Sequence, residues 1–293
     1  MMISNRGKKN RPGGFTLVEL LVVMAIIGVL MALVMPAIMA IRQAAWRAAC
    51  TNNERNIAMA ILTYHTSKQS LPYWSRAKPK AKYSWCAQIL EQLGEGKLGQ
   101  LYDDDNLNST VQLPILKCRA GDARPSGMSY VVNCGKSDKN GIAGKNNPDP
   151  GVAGAGLFFR YDDANPANNY KSSLALVGAK DGASNTILLS ETLNKHNKIT
   201  QNWHSSDDDV RKVGILWDNG KVSQTNPKDY GKDNSLFFDS NHSNTDQVAF
   251  ADGSVKSVNK RINYNTYACL MAPDDAPSDK AYTLVWKVDA NYE

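Results

Sequence analysis

Three catalytic signatures are missing from this sequence. It has no hydrolase nucleophile elbow, no phosphate-binding glycine loop and no zinc signature. Serine, histidine and aspartate are all present, but any chain of 293 residues contains them, so they assign no chemistry by themselves. No Lys/Arg run is interleaved with aromatics, so the electrostatic footprint of a nucleic-acid binder is missing, and a net charge of +6 is weak evidence for any partner. The expectation is a chain that is not an enzyme, takes no cofactor or metal, and has no nucleic-acid partner. Charge itself is scarce in one stretch: from Phe15 to Ile41 the only charged residue is Glu19.

That stretch, with the glycines before it, reads GGFTLVELLVVMAIIGVLMALVMPAIMAI. As a helix it rises about 1.5 Å per residue, roughly 40 Å in all, longer than the roughly 30 Å hydrocarbon core of a bilayer. Arg6, Lys8, Lys9 and Arg11 precede it with no acid among them. Basic then apolar keeps the front end cytoplasmic and sends the rest across. A cleaved secretory signal has a shorter apolar region, about 7–15 residues, and no carboxylate near its start. A plain membrane anchor fits the length but leaves Glu19 without a role, and an acid in the membrane costs about 2.5–3.5 kcal/mol. Cutting between Gly14 and Phe15 resolves this. The new α-amine on Phe15 of one subunit can neutralise Glu19 of its neighbour when helices bundle. The cut also removes four basic residues and no acid, so the charge falls from +6 to about +2.

Gly13-Gly14-Phe15-Thr16-Leu17-Val18-Glu19-Leu20-Leu21-Val22-Val23 resembles the leader junction of type IV prepilins and type II secretion pseudopilins. The resemblance implies a membrane prepilin peptidase that cuts after Gly14 and methylates Phe15, with other pilin or pseudopilin subunits as partners. It also implies that Pro36 is the proline that kinks the membrane helix, and that Glu19 and Phe15 set subunit register.

Beyond Pro36 the helical pattern continues. Ile41, Ala45, Ala48, Ala49, Asn52, Ile57, Ile61 and Tyr64 recur at three- and four-residue spacings, with charged residues between them. One helix from Phe15 to about Lys68 is expected, ended by Ser70-Leu71-Pro72. A second helix is expected over Trp85–Leu93, stopped by Gly94. Leu113–Cys118 reads as extended and Ser129–Gly135 as a strand. Lys136–Gly156 reads as a long loop. Further strands are expected at Gly156–Arg160, Leu174–Val177, Thr186–Ser190, Val213–Trp217, Ser235–Phe238 and Gln247–Phe250.

Two segments stand out in this region. Asp181-Gly182-Ala183-Ser184-Asn185-Thr186 is a turn feeding the apolar run Ile187–Leu189. His242 stands ten residues before Asp252-Gly253 in NHSNTDQVAFADGSVKSV. With Cys50-Thr51-Asn52-Asn53, these resemble a large family of prepilin-like proteins with a C-terminal His-x9-Asp-Gly domain of unknown function (DUF1559-type), abundant in planctomycete-type bacteria. The match covers most of the chain after the leader and implies architecture more than activity. Lys117-Cys118-Arg119 departs from the family's usual Cys-Pro-Ser.

Asp252-Gly253 between apolar runs predicts a hairpin. His242 then lies near its start, where it either pins the hairpin through a buried hydrogen bond or joins Asp252 as an acid–base or metal pair. The first is preferred, because one His and one Asp are too few ligands. The acidic runs Asp103–Asp105 and Asp207–Asp209 raise calcium as a cofactor, but neither has the spacing of an EF-hand, and both read as solvated loops. Five cysteines leave at least one unpaired or paired between chains. The short loop favours Cys118 with Cys134, Cys86–Cys269 is a second pairing, and Cys50 on the long helix is the expected free thiol.

The expected fold is α+β, with a long N-terminal pilin-type helix packed on an antiparallel sheet. The expected domains are a basic leader at 1–14, a membrane and assembly helix at 15–41, its soluble continuation at 42–70, and an extracytoplasmic globular domain at 71–293. The expected role is a structural subunit anchored in the inner membrane by a single span and assembling into a pilus or pseudopilus. The alternatives are a membrane-anchored module that binds a polysaccharide or surface partner through aromatics such as Trp203 or Trp217, and an extracytoplasmic enzyme built around His242.

Overall fold

A computed structural model of the chain describes residues 15–107, 111–120, 127–136, 156–162, 171–179, 181–192, 214–218, 240, 242, 245–260, 262 and 264–272. The chain divides into two units, one ending at Ala45 and one beginning at Trp46.

The first unit is helix throughout its described length after Thr16. It is the front of α1, which runs Leu17–Lys68 and includes Pro36 within it. Its large apolar side chains are exposed all round, from Phe15 at 76% to Ile41 at 68%. A helix apolar on every side has no polar face to turn to water. Among the described residues, α1 is the one helix long and apolar enough to cross a membrane. A candidate anchor at this end fits a single-pass membrane protein.

In the second unit α1 changes character. Cys50, Glu54, Ile57, Ala58, Ile61 and Tyr64 are buried and recur at helical spacing, whereas Arg55, Met59 and Thr63 face outward. This buried stripe packs into a core with Val132 of β3 (Tyr130–Lys136), Leu188 and Leu189 of β5 (Ile187–Glu191), and Ala249 of β7 (Thr245–Phe250). The intervening residues Val131, Ile187, Val248 and Phe250 form a second core with Val258 of β8 (Val255–Asn259) and with Tyr267, Leu270 and Met271 of α5 (Tyr264–Met271). Strand side chains alternate faces, so one sheet holds α1 on one side and α5 on the other.

That sheet has five strands in the order β6-β3-β5-β7-β8, with β6 at Gly214–Asp218. Pairs β3·β5, β5·β7 and β7·β8 are antiparallel, and β3·β6 is parallel with a register shift around Gly135. A smaller sheet, β2-β1-β4, joins Lys82–Ser84, Ser75–Ala77 and Arg160–Asp162, with β1·β4 parallel. The purely antiparallel expectation is therefore corrected to mixed sheets. β4 and β6 arrive after long connections rather than tight turns, and a parallel partner needs such a crossover.

Several local expectations change as well. Leu174–Val177 is not a strand but the start of α4 (Leu174–Ala179). The Ser173 hydroxyl accepts the Ala175 amide at 3.2 Å and His65 Nε2 accepts the Leu174 amide at 3.2 Å, so two of the orphan donors of the helix start are satisfied. Leu113–Cys118 contains a 3-10 turn at Pro114–Leu116, because proline presets its first position. The helix expected over Trp85–Leu93 is only α2 (Trp85–Gln88), followed by turns up to Gly94 at φ +84°. Of the Gly156–Arg160 run only Arg160 is in a strand, since the Leu157 and Phe158 amides both donate to the Asn133 carbonyl at the shifted register of β3. The helix α3 (Gly96–Asp103), α5 and strands β1 and β2 carry no clear signal in the sequence. The expectations for Ser235–Phe238 and for most of Lys136–Gly156 lie outside the described residues.

Candidate functional site

Four segments far apart in sequence meet where α1 crosses the sheet. Cys50 on α1 is disulfide-bonded to Cys118, which follows the 3-10 turn. Glu191 closes β5 opposite Tyr130 at the start of β3. His242 stands three residues before β7. One ligand atom each from Cys50, Cys118, Glu191 and His242 lies within 4.8 Å of the others, and all four residues are buried. His242 Nε2 is 3.3 Å from Glu191 Oε2 and 3.7 Å from Cys118 Sγ.

Local structure holds each member in place. Around Cys50, the Thr51 hydroxyl donates to the Arg47 carbonyl at 2.9 Å and lies 3.3 Å from Gln247 Oε1 of β7. The Asn53 amide donates to the Lys117 carbonyl at 3.2 Å, beside Cys118. The Cys-Thr-Asn-Asn segment thus ties α1 to the Cys118 loop and to the sheet. The His242 amide lies 3.3 Å from the Ser240 hydroxyl, and the Ser240 amide donates to buried Asp246 at 2.8 Å. Lys260 pairs with Asp246 at 3.6 Å and also donates to the Ser240 carbonyl. These bonds fix the entry to β7, and with it the imidazole.

Glu54 stands one turn after Cys50, on the same face of α1, with no solvent exposure. Neither of its carboxylate oxygens has a hydrogen-bond partner among the described residues. Burial pushes its carboxyl well above the usual range, and the charges of Glu191 and Asp246 push the same way. The Glu191 backbone N–H, which approaches the carboxylate without full hydrogen-bond geometry, opposes them more weakly. Burial also raises the Tyr130 hydroxyl, as do Glu191 and Glu54. The site is a buried set of carboxylates and an imidazole around a disulfide.

The cysteine pairing differs from expectation. Cys118 bonds to Cys50, not Cys134, and Cys50 is not the free thiol. Cys86, Cys134 and Cys269 form no disulfide among the described residues, so Cys86–Cys269 is not formed either. Cys134 lies within β3 and its short-loop spacing to Cys118 does not bring the sulfurs together. The helix stripe carries Cys50 to the loop instead.

His242 and Asp252 are not brought together. They flank the six residues of β7, about 20 Å of extended chain. Exposed Asp252 and buried Gly253 form the tip of the β7–β8 hairpin, where Asp252 Oδ1 accepts the Ser254 amide at 2.8 Å and Gly253 adopts φ +84°. The Asp181 turn lies against this tip. The Asp252 amide donates to the Ala183 carbonyl and the Ala251 amide to the Thr186 carbonyl. Gly182 takes φ +89°, and the Asn185 side chain donates to the Asp181 carbonyl at 3.1 Å. The two Asp-Gly turns therefore form one structural corner, separate from the buried cluster. A Cβ on Gly253 would stand 3.1 Å from Leu62 of α1, so the same corner abuts the helix.

Glu54 and the pairing role of Glu191 are what sequence reading missed. Their signals were present: Glu54 is four residues after Cys50, and Glu191 is an acid ending an apolar strand. In the acidic run Asp103–Asp105, Asp105 accepts the Lys80 amide at 2.7 Å, and the Lys78 ammonium is bonded by the Tyr102 and Asp103 carbonyls, so a lysine supplies the positive charge there. Asp207–Asp209, Trp203, Gly14 and the side chain of Trp217 lie outside the described residues.

At the front of α1, Thr16 and Glu19 form a capping box. Glu19 Oε2 accepts the Thr16 amide at 2.9 Å and its hydroxyl at 2.8 Å, and the Glu19 amide lies 3.3 Å from the same hydroxyl.

Comparison with known proteins yields two family matches. A model described as the prokaryotic N-terminal methylation motif matches residues 9–35, which span Gly14, Phe15 and Glu19. A model described as a protein of unknown function (DUF1559) matches residues 39–265, which span the whole buried cluster and both Asp-Gly turns. No curated protein and no solved structure matches the chain. With most of its length matched, the chain belongs to the DUF1559 family and carries the N-terminal methylation motif of prepilin-type proteins at its front.

Proposed function

We propose that this chain is a structural subunit of a type IV pilus or type II secretion pseudopilus, cut after Gly14 by a prepilin peptidase and N-methylated at Phe15. The observation that carries this reading is an exposed, all-apolar helix front with one carboxylate, Glu19, four residues from the cleavage point. Before the cut Glu19 caps its own helix through Thr16. After it, the Phe15 amine of a neighbouring subunit offers a full positive charge, and helix bundling brings the two together. Small residues Ala25, Gly28 and Ala32 allow close approach of backbones. The unit from Trp46 is carried on the extracytoplasmic side, where a disulfide persists.

The role is structural rather than catalytic. The His242–Glu191 pair is buried beside the disulfide, which supports an internal tie. Mass spectrometry of the N-terminal peptide from envelope fractions tests the reading. A mature peptide beginning at methylated Phe15 is expected. An intact N-terminus upstream of Gly14 in mature protein would leave an anchored domain and overturn the filament subunit.

A further inference from the structure

Cys50, Cys118, Glu191 and His242 contribute two sulfurs, one carboxylate oxygen and one imidazole nitrogen, and all four residues are buried. Two thiolates, an imidazole and a carboxylate form a donor set suited to tetrahedral zinc. The spacing fits as well. With zinc bonds of about 2.3 Å to sulfur and about 2.0–2.2 Å to nitrogen and oxygen, tetrahedral corners lie about 3.6 Å apart for S and N and about 3.4 Å for N and O. Cys118 Sγ to His242 Nε2 is 3.7 Å, and His242 Nε2 to Glu191 Oε2 is 3.3 Å. The remaining pairs lie within 4.8 Å, and the two bonded sulfurs must separate, which breaking their bond permits. A second observation points to the same place: fully buried Glu54, on the same face of α1 as Cys50, has no hydrogen-bond partner for either carboxylate oxygen among the described residues.

We propose that the reduced form of this chain holds a zinc ion between Cys50, Cys118, Glu191 and His242, and that closing the Cys50–Cys118 disulfide expels it. A dithiol reductant transfers two electrons and two protons to the disulfide, becoming a disulfide itself and leaving two thiols. Zn²⁺ then displaces one proton from each thiol to water, and His242 binds as the neutral ring through Nε2. In the reverse direction a disulfide oxidant takes two electrons from the two thiolates, the sulfur–sulfur bond forms, and Zn²⁺ leaves. The chain therefore has two alternative ties at one point, a metal before oxidation and a covalent bond after it. This goes beyond assembly and does not depend on it.

The test uses the full chain in detergent, unfolded in guanidinium with a phosphine reductant and refolded with Zn²⁺, with Co²⁺, or with chelator. One zinc per reduced chain is expected after desalting, and none per oxidised chain. Co²⁺ should give the visible bands of a tetrahedral ion with thiolate charge transfer. Alkylation followed by peptide mass spectrometry should find Cys50 and Cys118 protected by zinc in the wild-type chain, which needs no variant to fold. His242→Ala should weaken zinc binding at least about tenfold. Zinc protection that maps to Cys86, Cys134 or Cys269 would overturn the proposal. So would equal binding by the oxidised chain or by His242→Ala, or a reduced chain whose folding and metal content are the same with zinc and with chelator.

Discussion

The two halves of α1 are one continuous helix built for different surroundings. Up to Ala45, apolar side chains cover every face, and the one carboxylate, Glu19, sits in the first turn. From Trp46, apolar residues fall in a stripe while charged residues take the other faces, and the stripe itself contains one acid, Glu54. Each half thus carries a glutamate in an apolar setting. Glu19 is exposed at a helix end, free to find a partner on another chain. Glu54 is sealed against the sheet, where its neighbours are fixed by the fold. In the proposed function the same residue type serves association in one half, and in the other it shapes the electrostatics of the core.

The largest effect separates the halves cleanly. Glu19→Ala should abolish assembly in the native host while leaving the melt of the second unit, followed by buried Trp74 and Trp85, unchanged. A shifted melt would mean that Glu19 matters to the fold of a single chain and not to association. Next in size is the disulfide. Cys118→Ser opens a tie between residues 68 apart and should cost about 4 kcal/mol, a fall in melting temperature of about 10 °C under oxidising conditions. Cys134→Ser leaves that tie intact and should cost much less; equal losses would restore the Cys118–Cys134 pairing. Gly253→Ala should cost about 1–2 kcal/mol, because its φ of +84° strains a side chain and the new Cβ meets Leu62. A wild-type melt in that variant would detach the hairpin tip from α1.

The smallest effect has the opposite sign. Glu54 keeps its proton in the folded chain to a higher pH than the usual 4.5, whereas the unfolded chain loses it near that value. Stability from this group is complete below about pH 4.5 and declines as pH rises toward the folded value. Glu54→Gln removes the titration, so it should melt with the wild type in acid and slightly above it at neutral pH. A variant less stable at every pH would mean that Glu54 has a charged role in the fold.

How much of this was legible follows from the range of the interactions. The long helix, its stop at Pro72, the strands over Tyr130–Lys136 and Ile187–Glu191, and the Asp-Gly hairpin are set by periodicity and turn chemistry within a few residues. Leu174–Ala179 was misread because its helix start is capped by His65, more than a hundred residues away. The parallel pairings β1·β4 and β3·β6 follow long connections that leave no local trace. The buried cluster was legible only in fragments. Sequence spacing marks His242 and the Cys50 segment, but it leaves Cys50 as a free thiol and sets His242 against Asp252, a nearer acid in sequence than Glu191.

The sequence by itself determined the apolar helix with its single carboxylate, the N-terminal methylation motif and the positions of the turns, because these depend on composition, spacing and backbone preference over short stretches. Only the tertiary structure decided which cysteine Cys118 meets, which carboxylate His242 faces and that Glu54 is buried without a hydrogen-bond partner. Those contacts form when α1 packs across β3, β5 and β7, and packing joins residues by shape and burial, not by their distance along the chain.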